Sequence, residues 1–299
     1  MHILAATDLS DGSIPALRWA FDYAHHLELV DIDVELTVLH AAQARYPQVL
    51  DTELRLEKPE NREELRREVE NWTWRAANQT ETEFDVEILA GRPDKELRVA
   101  AERHQADWLA VGMAGHGALA KLVVGPTAER LAHGPPCNLA ICHPRTATSR
   151  DSPTFVVGID FTDACARALE QAATVTRQLG GLLHIAHVVE PPTYEAYPFD
   201  TFGEGEIRDM EELIGKMQEE LDGFIEEHED LLEDVQWASR TLTGYPTREL
   251  VGFADEDDLD GVFLGTAGRS AVGDFLIGSV SRGVVKHMPC SIYLTPPVD

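Results

Sequence analysis

The sequence predicts an α/β protein made of two copies of one domain, each a parallel sheet with helices on both faces. Three observations lead to this prediction. A glycine pattern occurs twice, 153 positions apart, first from Gly112 and again from Gly265. Other landmarks keep nearly the same offset, so that Gly91-Arg92-Pro93 reappears as Gly244-Tyr245-Pro246. In both halves, short apolar runs alternate with helix-like stretches, an order typical of parallel strands joined by right-handed crossovers.

Each element of the first half follows from an apolar run and the residues at its ends. Ile3–Thr7 is expected to form a short strand, and Ser10 or Asp11 can cap the helix that follows it. Pro93 can begin a later helix because its missing N–H is not needed in the first turn. The other strands are expected at Val34–His40, Phe84–Leu89, Trp108–Val111 and Asn138–Cys142. The other helices are expected from Pro59 to about Gln79 and over Pro126–Ala132.

The second half repeats these elements in the same order. Its strands are expected near 154–159, 182–189, 234–242, 259–264 and 290–295. A long acidic segment from Glu204 to Asp234 places apolar residues at helical spacing, which predicts an amphipathic helix with a charged outer face. Between the halves, residues 144–153 are polar and end in proline, as expected of a linker. We therefore expect two domains, at residues 1–147 and 151–299.

Composition limits the partners and the compartment. The chain has 25 Lys and Arg against 53 Asp and Glu, a formal charge of −28. This negative charge repels DNA and RNA, so we expect no nucleic acid partner and interpret the acidity as a solvated surface. Four cysteines are too few for a disulfide framework. No apolar run approaches the length that spans a bilayer, and Met1 leads directly into the first strand, so we expect a cytoplasmic protein without a membrane partner.

A metal site is an alternative for four residues near the end of the first half. They are His133, Cys137, Cys142 and His143. Cys137 and Cys142 fall in one expected strand an odd number of positions apart, so their side chains point to opposite faces of the sheet. This geometry disfavours the metal site. We expect Cys137 and Cys290, which begin equivalent apolar runs, to be buried thiols.

The ends of the first and fourth strands of each half carry the residues that indicate a binding site. Asp8 and Gly112 stand at these ends in the first half. Asp160 and Gly265 stand there in the second half. Ligands of doubly wound parallel sheets bind outside the carboxyl ends of the strands, where the strand order reverses. If the first and fourth strands are neighbours, the aspartate and the glycine of each half meet at one crevice.

The glycine loops after the fourth strands have the character of a phosphate site. Glycine lets the backbone approach a ligand closely, and the following helix presents free N–H groups to an anion. The sequence contains no Walker A string. Residues 115–120 match the weak form of the dinucleotide-binding fingerprint, but they follow a fourth strand and the second half breaks the match, so we treat it as accidental. Tight packing of the loop is an alternative reason for the glycines, and the sequence leaves it open.

The complete pattern, Gly-x2-Gly-x9-Gly-Ser/Thr, resembles the nucleotide-binding signature of the universal stress protein family, and the resemblance covers nearly the whole chain twice. The further landmarks are Thr7-Asp8-Leu9-Ser10, Asp160-Phe161-Thr162, His40, His187, the Gly-x-Pro turns, Pro136-Cys137 and Pro289-Cys290. The resemblance implies two fused flavodoxin-like domains of the adenine-nucleotide alpha hydrolase-like class, each with a five-stranded parallel sheet. We expect them to pack as an intramolecular pseudo-dimer through their fifth strands, or the chain to form a homodimer. The resemblance also implies ATP or another adenine nucleotide as cofactor, with or without Mg²⁺.

The pattern and the resemblance together indicate the residues that bind the nucleotide. In the second half they are Asp160, Phe161, Val188, Gly265, Gly268, Arg269, Gly278, Ser279, Val280 and Ser281. In the first half a weaker set is Thr7, Asp8, Gly112, Gly115, Gly125 and Thr127. By the resemblance, Asp160 lies near the ribose, the base or Mg²⁺, and the backbone of Val188 lies near adenine. The alternative for Asp8 and Asp160 is that they only cap the next helix, and we expect His40 and His187 to be structural.

The two copies differ at the start of the helix after the loop. Ser279 and Ser281 add hydroxyl donors to the N–H groups of the helix. In the first half, Pro126 replaces Ser279 and has neither an N–H nor a hydroxyl. Ala128 replaces Ser281, and Thr127 supplies one hydroxyl out of register. We therefore expect the second half to bind the nucleotide and the first half to bind it weakly or not at all.

The sequence contains no motif that indicates catalysis. We find no Ser-His-Asp order and no nucleophile elbow, and hydrolysis needs a positioned water and charge stabilisation as well as a phosphate site. The expected function is a nucleotide-dependent signalling or binding module of the stress response. Two alternatives remain open: a nucleotide-free structural or protein-interaction module, and a slow ATPase in which Arg269 contacts the phosphates.

Overall fold

The computed structural model describes residues 1–42, 58–77, 82–113, 124–147, 152–190, 204–266, 278–287 and 289–297. The strands are β1 (His2–Ala6), β2 (Glu35–Ala42), β3 (Asp85–Ala90), β4 (Trp108–Gly112), β5 (Asn138–Cys142), β6 (Thr154–Ile159), β7 (Leu182–Val189), β8 (Gln236–Thr243), β9 (Gly261–Gly265) and β10 (Ser291–Thr295). The helices are α1 (Ile14–Glu28), α2 (Pro59–Ala76), α3 (Pro93–Arg103), α4 (Pro126–Ala132), α5 (Asp163–Leu179), α6 (Glu204–Glu227), α7 (Pro246–Glu256) and α8 (Ser279–His287). Short 3-10 helices cover Asp11–Ser13, Pro144–Ala147 and Glu229–Leu232.

The strands form one sheet in the order β3-β2-β1-β4-β5-β10-β9-β6-β7-β8. Within each half all neighbouring strands are parallel, as expected of strands joined by helical crossovers. The halves meet where β5 pairs antiparallel with β10. The fold is therefore two five-stranded, doubly wound parallel sheets joined edge to edge through their fifth strands. This is one of the two arrangements that the sequence leaves open.

Large and small side chains complement each other at the junction of the two halves. Ala140 of β5 lies opposite Tyr293 of β10 in the antiparallel register. The Tyr293 ring is buried and stacks on the Phe263 ring of β9, with 4.3 Å between the ring centroids. Its centroid also lies 6.1 Å from that of Trp108 in β4 and 5.8 Å from that of Trp19 in α1. One buried aromatic cluster therefore joins the two halves.

The helices cover both faces of the sheet and divide its core in two. Helices α1, α2, α5 and α6 pack on one face, and α3, α4, α7 and α8 pack on the other. In α5 the apolar residues recur at helical spacing, and Ala168, Leu169 and Ala172 are fully buried. Helices α7 and α8 pack on the same face of the sheet. Because α7 follows β8 and α8 follows β9, both helices start at the carboxyl edge of the second half.

The start of the first helix differs from the sequence prediction. Ser10 or Asp11 is predicted to cap it, but Asp11–Ser13 form a 3-10 turn and α1 begins at Ile14. Ser13 stands at the N-cap without a side-chain capping bond, and its hydroxyl donates to the Ser10 carbonyl 2.8 Å away. The extra turn between strand and helix takes up the hydroxyl that would otherwise cap α1.

The acidic segment also differs from the prediction. The sequence predicts one helix from Glu204 to Asp234, but α6 ends at Glu227 and a 3-10 turn follows. His228 Nδ1 lies 2.9 Å from the Phe224 carbonyl oxygen near this end. Asp234 has a φ of 60°, a left-handed conformation that turns the chain into β8 and that an uninterrupted helix does not allow.

Candidate functional site

The carboxyl ends of the first and fourth strands lie side by side in both halves. β1 pairs with β4 in the first half, and β6 pairs with β9 in the second. The strand order reverses at these pairs, because the chain moves outward from β1 to β2 and β3 before it returns to β4. The first and fourth strands of each half are therefore neighbours, the condition on which the predicted crevice depends, and the turns after β1 and β6 lie beside the ends of β4 and β9.

A hydrogen-bonded turn after β6 holds the Asp160 carboxylate. Asp160 Oδ1 accepts hydrogen bonds from the backbone N–H of Thr162 (3.2 Å) and from its hydroxyl (2.5 Å). Phe161 between them has a φ of 59°, which is uncommon for a residue other than glycine. Thr162 Oγ1 accepts from the N–H of Cys165 and caps α5. The alternative in which Asp160 itself caps the helix is therefore wrong.

The first half builds the same turn around Asp8. Its Oδ1 accepts from the N–H (3.1 Å) and the hydroxyl (2.5 Å) of Ser10. Leu9 has a φ of 61°, matching the backbone of the second half. The Thr7 hydroxyl is buried, accepts from the N–H of Leu9 (3.0 Å) and lies 2.8 Å from Ser13 Oγ. The Thr7 side chain thus has a role in shaping this turn.

The histidines at the ends of the second strands connect neighbouring strand ends. His40 Nδ1 lies 2.9 Å from the Thr7 carbonyl oxygen. His187 Nδ1 lies 2.8 Å from the Ile159 carbonyl oxygen. A carbonyl only accepts, so each Nδ1 carries a proton and donates it. The Phe161 ring packs 4.6 Å from the His187 ring. These contacts support the structural role predicted for both histidines.

Backbone hydrogen bonds hold the two ends of each glycine loop together. In the second half the Gly278 N–H donates to the Thr266 carbonyl (2.9 Å). The Thr266 N–H donates in turn to the Thr295 carbonyl at the end of β10 (3.0 Å). In the first half the Gly125 N–H donates to the Met113 carbonyl (2.6 Å). The other predicted loop residues lie outside the described residues: Gly115, Gly268 and Arg269.

Close packing requires the first glycine of each loop. A Cβ on Gly265 would lie 2.7 Å from the carbonyl carbon and oxygen of Ala164 in α5. A Cβ on Gly112 would collide with the carbonyl oxygen of Gly12. Neither position accepts a side chain unless backbone moves. The packing alternative therefore explains Gly112 and Gly265, while it leaves the role of Gly278 open.

Helix α8 begins with backbone N–H groups that have no partner among the described residues. The first N–H groups of an α-helix lack intrahelical partners. Here the first intrahelical bond runs from the Arg282 N–H to the Gly278 carbonyl (3.0 Å), after Ser279, Val280 and Ser281. The Ser279 side chain is exposed at this point. An anion placed here would meet several donors and the positive end of the helix dipole.

The three residues that open α8 differ in their side-chain contacts. The Ser281 side chain is buried, and its hydroxyl donates to the Gly265 carbonyl 3.0 Å away. This bond ties α8 to the end of β9 and uses the hydroxyl proton within the protein. The Val280 side chain packs against the apolar cluster beneath α7 and α8. The structure therefore favours the Ser279 hydroxyl over that of Ser281 as an anion donor.

The equivalent helix of the first half is shorter and has fewer donors. Helix α4 has 7 residues against 9 in α8, and it begins with Pro126 directly after Gly125. Pro126 has no N–H to offer. Ala128 is buried at the position of Ser281, and Thr127 is half-buried. The two halves therefore differ in the hydrogen-bond donors at the start of the helix that follows each glycine loop.

Val188 lies at the same edge of the sheet as the start of α8. The β6–β7 ladder ends at the pair Ile159–His187, so Val188 continues β7 one residue beyond β6. Its side chain belongs to the apolar cluster that also contains Leu264 of β9 and Val284 of α8. Val188 and the start of α8 therefore share one face of the second half.

A contact between α7 and α8 was missed by the sequence analysis. A Cβ on Gly283 of α8 would lie 2.6 Å from the Thr247 hydroxyl oxygen of α7, so the two helices touch near their starts. In the first half the equivalent residues form an ion pair, with 3.6 Å between Arg130 Nη1 and Asp94 Oδ1. The repeat offset relates the two contacts, and the Asp–Arg pair in the first half is the signal that could have revealed them.

Cys290 is a buried thiol as predicted, but Cys137 is only partly buried and precedes β5, so its prediction as a buried strand residue is wrong. Burial raises the pKa of Cys137 to about 12, and burial also raises the pKa of Cys142 and Cys290. A thiol binds metal or attacks carbon as its thiolate, so these three are poorly suited to either role. Within the described ranges, no three His, Cys, Asp or Glu side chains are grouped as metal ligands. In the same part of the chain, no helix has both the length and the apolar character needed to cross a bilayer.

Comparison with known proteins gives the family relationship of each half. The sequence matches the universal stress protein family over residues 1–143 and again over 153–296. A universal stress protein from Archaeoglobus fulgidus has a similar fold over 99% of this chain and 98% of its own, with a TM-score of 0.66 and 24% identity. Universal stress protein MJ0531 of Methanocaldococcus jannaschii is 24% identical over 140 residues, 46% of this chain and 78% of that protein. A universal stress protein of Thermus aquaticus is 30% identical over 142 residues, 47% of this chain and 96% of that protein.

Proposed function

Because the chain belongs to the universal stress protein family in both of its halves, we propose that it binds ATP or a related adenine nucleotide at the carboxyl edge of its second half. In this proposal it is a nucleotide-dependent binding or signalling module of the stress response, acting in the cytoplasm where adenine nucleotides are available. The observation that carries the proposal is the start of α8. The backbone N–H groups of Ser279, Val280 and Ser281 have no partner among the described residues, and the Ser279 side chain is exposed beside them.

The phosphates of the nucleotide are proposed to bind at the start of α8. Gly278 precedes the helix and carries no side chain, so a phosphate can approach the backbone closely. The N–H groups of Ser279, Val280 and Ser281 and the Ser279 hydroxyl supply donors, and the helix dipole favours negative charge. Gly268 and Arg269 of the preceding loop are proposed to complete this phosphate site. Membership of the universal stress protein family supports this arrangement, because the Gly-x2-Gly-x9-Gly-Ser pattern resembles the nucleotide-binding signature of that family.

The ribose and base are proposed to lie between α8 and the end of β7. The Asp160 carboxylate stands at the crevice in a fixed orientation, because two hydrogen bonds from Thr162 hold it. It can accept hydrogen bonds from ribose hydroxyls, and a carboxylate oxygen is the type of ligand that Mg²⁺ prefers. The backbone of Val188 is proposed to contact adenine, and the backbone of Phe161 shapes the turn beside it.

The first half is proposed to bind the nucleotide weakly or not at all. It keeps the Asp8 turn and the paired ends of its glycine loop, so its backbone framework is preserved. It lacks the donors that Ser279 supplies, because Pro126 has no N–H and no hydroxyl. The nucleotide-binding residues proposed for the first half therefore bind more weakly than those of the second half; besides Asp8 they are Thr7, Gly112, Gly115, Gly125 and Thr127.

Binding rather than hydrolysis is the proposed activity. Hydrolysis needs a positioned water and charge stabilisation of the transferring phosphoryl group. Asp160 Oδ1 already accepts two hydrogen bonds from Thr162, an arrangement that suits orientation more than proton abstraction. No specific observation favours the nucleotide-free module or the slow ATPase as a second proposal.

Calorimetric titration of the full chain with ATP tests the proposal by comparing wild-type protein with a variant that lacks the Ser279 hydroxyl. A hydrogen bond to a charged phosphate contributes about 1–2 kcal/mol, so Ser279→Ala should weaken ATP binding by about 5- to 30-fold. Thr127→Ala removes the nearest equivalent hydroxyl of the first half and should leave the affinity unchanged. Wild-type protein that binds no adenine nucleotide, or a Ser279→Ala variant with wild-type affinity, would contradict the proposal.

A further inference from the structure

The turn after β8 brings an aromatic residue to the edge where the nucleotide is proposed to bind. The Gly244 N–H donates to the Val189 carbonyl (3.0 Å), so this turn lies directly beside the end of β7. Gly244 has a φ of 146°, a conformation that favours glycine, and it redirects the chain into α7. Tyr245 follows as the N-cap residue of α7 and is 44% exposed.

The backbone around Tyr245 is well defined although its side chain is exposed. Pro246 occupies the first position of α7, which fixes its own φ and restricts Tyr245 to the extended conformation observed, with φ −80° and ψ 121°. The Tyr245 carbonyl accepts from the Glu249 N–H (2.9 Å). The Glu249 side chain also lies against Gly244, where a Cβ would collide with it. An exposed ring on a fixed backbone is well prepared to contact a ligand.

Helix contacts place Tyr245 close to the start of α8. Thr247, two residues after Tyr245, touches Gly283, which is about one helical turn beyond Ser279. Leu250 of α7 shares one apolar cluster with Val188 and with Val284 of α8. The starts of α7 and α8 and the end of β7 therefore surround one small region of the carboxyl edge.

We propose that Tyr245 contacts the base of the bound nucleotide and contributes to the preference for a nucleobase ligand over a bare polyphosphate. This inference rests on the proposed nucleotide site in the second half. A planar aromatic ring next to a backbone edge is the usual combination for holding a purine, because the ring stacks on the base while the backbone pairs with its polar edge. Val188 supplies the backbone edge, and Tyr245 supplies the ring.

The first half differs at this position in a way that agrees with the proposal. Arg92 occupies the position of Tyr245, and its guanidinium forms two hydrogen bonds to the Asp94 carboxylate, at 2.8 and 2.7 Å. The guanidinium is thus committed to Asp94, which also pairs with Arg130. The first half therefore lacks the aromatic ring as well as the donors at the start of its last helix.

Titration of the full chain with ATP and with inorganic triphosphate tests the role of Tyr245. Tyr245→Ala should weaken ATP binding about tenfold and leave triphosphate binding unchanged, because the base contact alone is lost. Tyr245→Phe keeps the ring and should restore wild-type affinity for ATP. Trp237→Ala is the matched control, since Trp237 is similarly exposed (42%) but lies at the opposite end of β8.

The outcomes separate this inference from the proposed function. Tyr245→Ala with wild-type affinity for ATP, or with an equal loss for ATP and triphosphate, would overturn the base contact while the nucleotide site stands. A Tyr245→Phe variant that behaves like Tyr245→Ala would also overturn stacking. Wild-type protein that binds neither probe would instead contradict the nucleotide site itself.

Discussion

Leu9 and Phe161 hold the same left-handed backbone conformation at equivalent positions of the two halves, with φ values of 61° and 59°. Such residues cost free energy and persist where the surrounding structure requires them. In both halves the conformation lets an aspartate accept two hydrogen bonds from the residue two positions later. At the residue scale the two halves thus share the strained turn that holds the aspartate. They differ mainly in the hydrogen-bond donors at the starts of α4 and α8.

The first glycine of the second loop gives a stability prediction. Gly265→Ala should lower the free energy of unfolding by about 1–3 kcal/mol, because the added Cβ would lie 2.7 Å from backbone atoms of Ala164. Gly252→Ala is the control, since Gly252 lies within α7 with nothing within 4 Å of its Cβ position. That change should raise the free energy of unfolding by about 0.5–1 kcal/mol. Urea denaturation measures both, and an unchanged Gly265→Ala protein would contradict the packing argument.

At the scale of elements, α4 and α8 are the same helix with different first turns. Both follow a glycine whose N–H closes the loop onto the residue after the fourth strand. Helix α8 opens with Ser279 and a hydroxyl at Ser281 that fastens the helix to β9. Helix α4 opens with Pro126, which suits a helix start but removes a donor. In the proposed function, Pro126 at the position of Ser279 removes hydrogen-bond donors from the phosphate site while it remains suited to the start of a helix.

A substitution in α4 tests whether this difference decides which half binds. Pro126→Ser restores both an N–H and a hydroxyl at the position equivalent to Ser279, so ATP binding by the first half should become measurable. Calorimetry of the full chain should then show a second, weaker site that wild-type protein lacks. Thr127→Ser adds no donor and is the control. A Pro126→Ser protein with unchanged stoichiometry would show that more than the helix start separates the halves.

At the scale of the whole molecule, one continuous sheet and one aromatic cluster unite the two halves. The β5–β10 pairing makes the sheet continuous, and the cluster around Tyr293 includes rings from both halves. The join also involves the segment after β5, where the His143 N–H donates to Ser291 Oγ (3.0 Å). We therefore expect the halves to unfold as one cooperative unit.

Removal of the Tyr293 ring should lower the stability of both halves together. Tyr293→Ala should lower the free energy of unfolding by about 3–5 kcal/mol, because a fully packed aromatic side chain is lost. Tyr293→Phe keeps the ring and should cost about 1.5 kcal/mol or less. Urea denaturation followed by tryptophan fluorescence reports on Trp19 and Trp108 beside the ring. Equal stability of the two variants would contradict a packing role for the ring.

The division into two similar halves and the parallel sheet of each could be predicted, because the sequence repeats the same landmarks in both halves. The offset between Gly112 and Gly265 predicted two equivalent domains, and the alternation of apolar runs predicted their parallel sheets. The bond of the Ser281 hydroxyl to Gly265 could not be predicted, and the contact of Thr247 with Gly283 could be reached only through the Asp94–Arg130 pair at the equivalent positions of the first half. Both depend on how closely α8 packs on its neighbours, which is a tertiary property without a local sequence pattern. For the same reason, the antiparallel join of the fifth strands was only one of two possibilities.

Stoichiometry of ATP binding to the full chain tests the central claim most directly. Calorimetry should show one principal site per chain, lost in Gly278→Val because the added side chain would block the approach of phosphate to the start of α8. The matched Gly125→Val change in the first half should leave that site intact. Two equal sites in the wild-type protein, or undiminished binding by Gly278→Val, would contradict the account.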